Sequence, residues 1–391
     1  MKKILFISAV IYLIISGPTN TLISQENQNL FLNSPKLIKD PGLYYKYSPD
    51  SRRFTGISSL AVTKGGHIWA VWYAGTTPGE DHNNYVVVAN SNDNGNSWNE
   101  VLVIDPDSGG PVRTFDPEVW VDPNGKLWVF WAQGISQKIQ VEMEGHIAGV
   151  WAITTNDGDN PMPEWSSPRR LAEGVMMCKP TVLSDGEWIL PVSTWFLTDN
   201  SAKLVSSTDQ GKTWKVKGEC HIPEDIRTFD EHMIIEKDDH SLWMWIRTKA
   251  GIGESFSTDV GKTWSDMKNS EVEHPSARFF IRKLNSGNLL LVKHGPISVR
   301  TGRSHLMAFI SKDDGENWSN GLLLDERPSV SYPDGQQTPD GTIYITYDYN
   351  RTGEQKVYMT SFTEEDILSP DYDKSILKVF NNRKVISDGG K

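Results

Sequence analysis

The stretch that decides the fold is SNDNGNSW, residues 91–98, because its anchor residues recur three more times along the chain. The pattern Ser-x-Asp-x-Gly-x-x-Trp returns with its Ser at positions 207, 257 and 311. The Asp side chain can accept hydrogen bonds from backbone N–H groups of a tight turn, and Gly supplies a positive φ. The Trp that follows can pack on neighbouring strands. Four copies with every anchor retained indicate a repeated β-hairpin turn.

A second pattern, a turn followed by an apolar or aromatic strand, divides the chain into six units. The turn residues are Gly66, Gly125, Gly186, His240, Gly287 and Gly341, and their mean spacing is about 55 residues. Each unit has the short strands and turn signals of a four-stranded antiparallel sheet. Six such sheets around one axis predict an all-β fold, a six-bladed β-propeller.

Three details complete this prediction. One Asp-type turn is missing between Trp98 and Trp214, and the degenerate stretch 155–158, followed by Trp165, is expected to replace it. Helical periodicity is convincing only near residues 363–368, as one short turn. Most of the 15 Trp residues fall on these turns or on second strands, which indicates packing between blades rather than sugar binding.

The amino terminus has the pattern of a secretory signal. Lys2 and Lys3 precede an apolar run at residues 4–15, and Ser16, Gly17 and Pro18 end it. A run of about 12 residues is too short to span a bilayer. We expect a signal peptide over residues 1–24, a single propeller domain over residues 25–391, and a secreted or periplasmic location.

Composition excludes several classes of partner. With 39 Lys and Arg against 50 Asp and Glu, the net charge of −11 argues against nucleic-acid binding. Cys178 and Cys220 are the two cysteines, and the sequence does not decide whether they pair. The spacing of His, Asp and Glu suggests no metal site, so we expect no cofactor, and we expect a monomer.

The repeat also predicts which residues line the propeller axis. Nine residues before each turn residue of the second pattern, the innermost strand should begin, and the next strand should end at the same mouth. The first set is Ile57, Asp116, Met177, Glu231, Arg278 and Tyr332. The second set is Gln133, Arg247, His294 and Asp348, with Arg303 in the connection beyond the fifth such strand. Polar residues at these positions predict a site at this mouth.

Four Asp boxes on a six-unit β pattern resemble the sialidase (neuraminidase) superfamily, whose fold is a six-bladed propeller with BNR, or Asp-box, repeats. The resemblance implies a Tyr nucleophile, and Tyr332 with its partner Glu231 matches this pair. A phenol is a weak nucleophile unless a neighbouring base takes its proton. Asp81 resembles the family acid/base. Arg247 and Arg303 resemble two of the three Arg residues that bind the substrate carboxylate.

One position departs from the family pattern. Gly56 stands where the first family Arg is expected, and Arg52 and Arg53 lie close enough in sequence to replace it. Other polar residues of the inner strands add to a minimal site of this type. Among them, Asp116, Lys179 and Arg278 are expected to contact the substrate.

Three functions fit this sequence. The leading hypothesis is an exported glycoside hydrolase, resembling exo-α-sialidases, that removes a terminal, acidic sugar from a glycan. The second is a polysaccharide lyase or atypical glycosidase for a uronate glycan, such as a rhamnosyl-uronate glycan; a lyase would make an ultraviolet-absorbing product. The third is a non-catalytic glycan-binding propeller, in which Trp131, Trp195 and Tyr349 would stack on sugars.

Overall fold

The computed structural model describes residues 27–135 and 148–389, and within them 26 strands form six antiparallel sheets. Two sheets have five strands: the first has an additional outer strand, and in the third two short strands share the innermost position. The sheets follow one another along the chain and surround one axis, so the predicted six-bladed β-propeller is confirmed. The predicted signal peptide, residues 1–24, lies outside the described residues.

The first three blades come from the amino-terminal half of the chain. The first blade contains β1 (Lys36–Lys39), β2 (Phe54–Val62), β3 (Ile68–Gly75), β4 (Asn84–Ser91) and β5 (Asn99–Asp105). The second contains β6 (Val112–Val121), β7 (Leu127–Ile135), β8 (Ala148–Thr155) and β9 (Arg169–Glu173). The third contains β10 (Val175–Met176), β11 (Thr181–Val182), β12 (Trp188–Ser193), β13 (Ala202–Ser207) and β14 (Lys215–Cys220).

The last three blades and the helices complete the ring. The fourth blade contains β15 (Asp230–Glu236), β16 (Leu242–Thr248), β17 (Gly251–Ser257) and β18 (Lys268–Asn269). The fifth contains β19 (Phe280–Lys283), β20 (Leu289–His294), β21 (Leu306–Ser311) and β22 (Leu322–Asp325). The sixth contains β23 (Val330–Gln337), β24 (Thr342–Tyr349), β25 (Lys356–Thr363) and β26 (Lys384–Asp388). The helices are α1 (Glu364–Leu368), α2 (Tyr372–Asn381) and 3-10 turns at Asn27–Leu32, Pro41–Leu43, Tyr45–Tyr47, Pro49–Ser51 and Trp195–Leu197.

The four Asp boxes adopt the turn that the sequence predicts. In the first, Asp93 Oδ1 accepts hydrogen bonds from Ser91 Oγ at 2.8 Å and from the Ser97 backbone N–H at 2.9 Å. Gly95 has a φ of 79°, and its N–H donates to Ser91 Oγ. The Asp, Ser and Gly bonds recur in the other three boxes. Each box connects the last two strands of its blade.

The degenerate turn lies where it was expected, between β8 and β9. The carbonyl of Gly158 accepts a hydrogen bond from Trp69 Nε1 at 2.7 Å, and Trp165 packs edge-on against Trp69 of the first blade. Trp120 of the second blade likewise packs against Trp188 of the third, with ring centroids 5.0 Å apart. These contacts confirm that Trp side chains fill the space between blades.

The ring closes between β2 of the first blade and β23–β24 of the sixth through side-chain bonds to backbone groups. Asp348 Oδ2 accepts from the Ile57 N–H at 2.8 Å, and Asp334 Oδ2 accepts from the Leu60 N–H at 3.2 Å. Gln336 bonds both the N–H and the C=O of Val62. Inner-strand backbone groups that face a neighbouring blade therefore find partners there, as buried polar groups require.

Two expectations about individual elements need correction. Helix α1 matches the predicted turn near residues 363–368, but the ten-residue α2 was missed. Its signal was Asp371 before the helix, which caps the Lys374 N–H, and an apolar face that buries Val379. Trp195, one of the Trp residues counted on second strands, lies instead in a 3-10 turn just after β12. In residues 27–135 and 148–389, every helix is too short or too polar to cross a bilayer.

Candidate active site

An open cavity of about 630 Å³ lies at one end of the propeller, where the first, fifth and sixth blades meet. Its charged lining residues are Glu80, Arg303, Asp348 and Arg351. Glu80 comes from the loop after β3, Arg303 from the loop after β20, and Asp348 and Arg351 from the end of β24. Each of these loops follows the strand next to the innermost one in its blade. They therefore emerge at the mouth that the repeat predicted.

The innermost strands reach this mouth through β-bulges. Ile57, Asp116, Glu231 and Tyr332 have φ values of 56°, 46°, 41° and 54°, and strand pairing shifts register at each of them. A positive φ is uncommon for residues with a Cβ, and bulges of this kind re-aim a side chain. Four blades thus repeat one local distortion at the positions that the sequence register identified as equivalent.

Tyr332 and Glu231 are in contact, although they come from the sixth and the fourth blade. Tyr332 OH donates to Glu231 Oε1 at 3.2 Å, and Arg247 Nη1 donates to both groups, at 2.5 Å to the carboxylate and 3.4 Å to the phenol oxygen. All three side chains are buried. The predicted pair is therefore brought together with one of the two predicted Arg residues.

Two further guanidinium groups lie near the Tyr332 ring. Arg303 is 5.4 Å from the ring centroid and donates to Ser331 Oγ at 3.0 Å. Arg351 is 4.9 Å from the same centroid and donates from Nη1 to Glu80 Oε1 at 3.1 Å. Arg303 makes no ion pair with a carboxylate of the described residues, whereas Arg247 is paired with Glu231. The cavity wall therefore carries two guanidinium groups, of which Arg351 is paired with carboxylates and Arg303 is not paired with a carboxylate of the described residues.

Burial controls the protonation of this cluster. It raises the pKa of Tyr332, and the Glu231 charge raises it further against the effect of the Arg residues. Burial also raises the pKa of Asp348 to about 6, although Arg351 and the Ile57 N–H favour its charged form. Tyr332 is consequently a neutral phenol that would need a base to become a nucleophile.

The loop that was expected to supply the acid brings a different carboxylate to the cavity. Asp81 is buried within the loop, where Oδ2 accepts from Thr77 Oγ1 at 2.6 Å and Oδ1 accepts from the Asn83 N–H at 2.8 Å. It is not among the residues that line the cavity, whereas the preceding Glu80 is. Neighbouring residues at a loop tip point in different directions, and sequence alone does not show which one faces inward.

Neither residue proposed to replace the missing Arg reaches the cavity. Arg52 is fully buried and forms a bidentate pair with Glu100, while Arg53 is exposed and bonds backbone carbonyls of Asp50 and Arg52. The cavity-lining cation that sequence reasoning missed is Arg351. Its signal was a position three residues after Asp348, just beyond the end of a second strand.

The other proposed substrate contacts lie deeper on the axis. Arg278 donates to Glu118 at 2.7 Å and to Asp334 at 3.3 Å, and Lys179 pairs with Asp334. These four side chains are buried and do not line the cavity. This placement favours a structural role for Lys179 and Arg278.

Asp116 occupies a bulge like Tyr332, and the charges of Arg113 and Arg278 favour its ionised form only in part. Burial, and then the charge of Glu80, raise its pKa well above the ordinary value for Asp. Asp116 therefore contributes a neutral carboxyl group beside the cluster.

The remaining sequence expectations concern sugar stacking, cysteine pairing and metal binding. Trp131 and Trp195 are buried, so neither can stack on a sugar, and Arg327 covers one side of Tyr349, 4.1 Å from its ring. Cys178 and Cys220 are both buried free thiols, which answers the open question of their pairing. In the part of the chain that is described, no group of three or more His, Cys, Asp or Glu side chains is arranged to hold a metal ion.

The chain resembles known proteins over most of its length. Residues 66–345 match the BNR repeat-like domain family. A curated sialidase of Bacteroides fragilis (strain YCH46) is 25% identical over 334 residues, covering 75% of this chain and 59% of that protein. The chain thus spans less than two thirds of that relative's length.

Solved structures show the same fold at lower identity. Hadza microbial sialidase Hz136 has a TM-score of 0.65 and 19% identity, covering 81% of this chain and 67% of the other. The intramolecular trans-sialidase of Ruminococcus gnavus, in complex with oseltamivir carboxylate, has a TM-score of 0.63 and 14% identity, with coverages of 83% and 97%. From the repeats, the six sheets and the matched family, we conclude that this chain belongs to the BNR repeat-like domain family of sialidase-type six-bladed propellers.

Proposed function

We propose that this protein is a glycoside hydrolase that removes a terminal, acidic sugar from a glycan. The observation that carries the proposal is the contact between Tyr332 and Glu231 beside a cavity lined by Arg303 and Arg351. A buried phenol paired with a buried carboxylate and an Arg has the parts of an activated nucleophile. The sialidase relative supports the reaction class, since its name describes a glycosidase.

In the proposed reaction, Glu231 takes the phenol proton as Tyr332 attacks the anomeric carbon. The bond from that carbon to the leaving oxygen breaks, and an acid gives this oxygen a proton. Water then attacks the glycosyl–tyrosine intermediate and gives a proton back to the acid. The bond to the Tyr332 oxygen breaks, Glu231 returns the proton to that oxygen, and the sugar leaves with retained configuration. Arg247, bonded to both partners, keeps the two oxygens aligned and stabilises the tyrosinate that develops. Arg247 and Arg303 would bind the anionic group of the sugar.

The acid belongs to the loop after β3. Asp81 is the residue that resembles the family acid, whereas Glu80 is the one with access to the cavity. The variants Asp81→Asn and Glu80→Gln separate them. Loss of the true acid should slow natural glycans strongly and slow aryl glycosides with a good leaving group much less, because such a group departs without protonation.

Turnover by Tyr332→Phe tests the nucleophile directly. We expect a loss of about a thousandfold or more in kcat, because the attacking oxygen is removed. Circular dichroism and thermal unfolding should stay close to those of the unsubstituted protein. The matched control is Tyr349→Phe, which changes a phenol on the neighbouring strand outside the cluster. Full activity of Tyr332→Phe would rule out this mechanism.

The substrate panel should contain sialylated, rhamnosylated and uronate-containing glycans. Products whose mass includes one added water indicate hydrolysis, whereas unsaturated, ultraviolet-absorbing products indicate a lyase. Binding without any product would favour the non-catalytic alternative. Export and removal of residues 1–24 are also proposed, and amino-terminal sequencing of the mature protein tests them.

A further inference from the structure

The backbone at Gly56 is covered by a side chain from another blade. A Cβ built on Gly56 would lie 2.4 Å from Cγ and Cδ of Arg351 and 2.8 Å from Asp348 Oδ2. Real Cβ atoms are not found this close to other heavy atoms, so any larger residue at position 56 would displace Arg351. The glycine that replaces the expected Arg is therefore the residue that lets Arg351 cross from the sixth blade.

Arg351 is held firmly in this position. Its carbonyl accepts a hydrogen bond from the Thr55 N–H at 3.0 Å. Its Nε lies 3.8 Å from Asp348 Oδ2 and its Nη1 lies 3.1 Å from Glu80 Oε1. The guanidinium is also 5.8 Å from the ring of Phe54. An Arg with this many fixed partners is preorganised, so a ligand would lose little entropy in binding to it.

Arg303 approaches the same ring, that of Tyr332, and lines the same cavity. Both guanidinium groups lie near one ring, line one cavity and act electrostatically on Asp348, so the carboxylate of a sugar seated in that cavity can approach both. Arg303 bonds only a hydroxyl and a carbonyl among the described residues. Its positive charge is therefore available to a ligand.

We propose that Arg351 and Arg303 together bind the carboxylate of a terminal acidic sugar, and that Gly56 is the specificity determinant that permits this pair. The inference rests on the proposed carbohydrate site around Tyr332. The ligand class is a sugar acid, of either the ulosonic or the uronic type, since the carboxylate is the group that two planar guanidinium groups recognise.

This pair has a consequence for Glu80. In the structure Arg351 donates to Glu80, so an incoming carboxylate competes with Glu80 for the same guanidinium. Binding of the anion therefore frees Glu80 at the moment when the sugar occupies the cavity. Removing the Glu80 charge should then strengthen carboxylate binding, whereas removing Arg351 should weaken it.

The experiment measures binding without turnover, in the Tyr332→Phe background, by ligand titration with saturation-transfer NMR. The probes are two matched pairs: N-acetylneuraminate with its methyl ester, and glucuronate with glucose. We expect one acid to bind better than its neutral partner by about tenfold or more, and the pair that discriminates identifies the sugar type. Equal binding of acid and neutral partner in both pairs would overturn the proposal.

Substitutions then assign the preference to Arg351. Arg351→Ala should remove it, and Gly56→Ala should do the same without changing any charge, because the new Cβ displaces Arg351. Arg53→Ala, an exposed Arg on the adjacent segment, is the matched control and should bind like the Tyr332→Phe parent. Glu80→Gln should bind the acid about threefold more tightly, a gain expected when a competing charge is removed. A preference unchanged in Arg351→Ala, or lost equally in Arg53→Ala, would contradict the assignment.

These results are separable from the proposed function. Carboxylate-selective binding that depends on Arg351 would support the clamp even if the protein proved to be a lyase or a binding protein. Turnover that depends on Tyr332, combined with no Arg351-dependent preference, would support the hydrolase and overturn the clamp.

Discussion

The mouth of the propeller and the buried axis just below it are built from the same strands and the same residue types, yet they differ in how their charges are satisfied. On the axis, Glu118, Lys179, Arg278 and Asp334 pair with one another and are closed to solvent. At the mouth, Arg303 keeps its charge unpaired among the described residues and faces an open cavity. Tyr332 and Asp334 are only two residues apart on β23.

The bulges explain the difference. Four of the six inner strands turn a residue with positive φ toward the mouth, and each then resumes regular pairing below it. The bulge residue Tyr332 lies against Arg303 and Arg351 of the cavity wall, whereas Asp334, after the bulge, meets Lys179 and Arg278 from other blades. We therefore expect a charged residue of an inner strand to serve the site where it falls on a bulge and to serve stability where it does not.

The largest expected effect is on stability. Arg278→Met should lower the free energy of unfolding by about 3–5 kcal/mol, because removing one partner leaves Glu118 and Asp334 buried with a single cation. The measurement is chemical denaturation. Arg303→Met is the matched control and should cost less than about 0.5 kcal/mol, as is usual for a partly exposed side chain. Equal costs for the two variants would show that the mouth and the axis do not differ in this way.

An intermediate effect concerns pH and the His pair behind the mouth. His294 donates from Nε2 to the Val330 carbonyl and lies 3.2 Å from His274, and burial lowers its pKa to about 3. The neighbouring charges of Arg303 and Lys293 oppose protonation too. The folded state therefore keeps His294 neutral while the unfolded chain becomes protonated. Its contribution to stability is full above about pH 6.5 and is lost as the pH falls from there toward 3.

His294→Gln should remove this dependence. Between pH 7 and pH 5 the free energy of unfolding should fall by about 2 kcal/mol more in the unsubstituted protein than in the variant. The reason is that the pKa of His294 is about 3 in the folded state and about 6.5 in the unfolded chain. Denaturation curves at several pH values give the two slopes, so the absolute cost of the substitution does not matter. Parallel slopes would contradict a neutral, buried His294.

The smallest effect compares two buried serines. Ser59 Oγ accepts from Lys179 Nζ at 2.8 Å on the axis, and Ser331 Oγ accepts from Arg303 Nη1 at 3.0 Å at the mouth. Ser59→Ala should lower the free energy of unfolding by about 1–2 kcal/mol, because the buried ammonium group of Lys179 loses a hydrogen-bond acceptor. Ser331→Ala should cost less, because water can replace the lost bond to Arg303. A larger loss from Ser331→Ala in thermal unfolding would reverse the comparison.

Much of the fold was predictable because the repeat is local. Asp93 and Gly95 specify their own turn, and the spacing of the turns gives the number of blades. The ten-residue α2 was missed because its apolar face is short and follows a strand pattern. The register also identified Glu231 and Tyr332 as equivalent positions, although they are 101 residues apart.

The sequence by itself determined the repeat, the family resemblance and the mouth at which the polar residues collect, since each depends on short-range patterns. Only the tertiary structure decided which polar residues meet the cavity. Glu80 faces it while Asp81 bonds within its own loop, and Arg278 is sealed below it. Arg351 reaches across from another blade because Gly56 has no side chain to stop it. Such a contact depends on atoms nearly 300 residues apart, which only ring closure brings together.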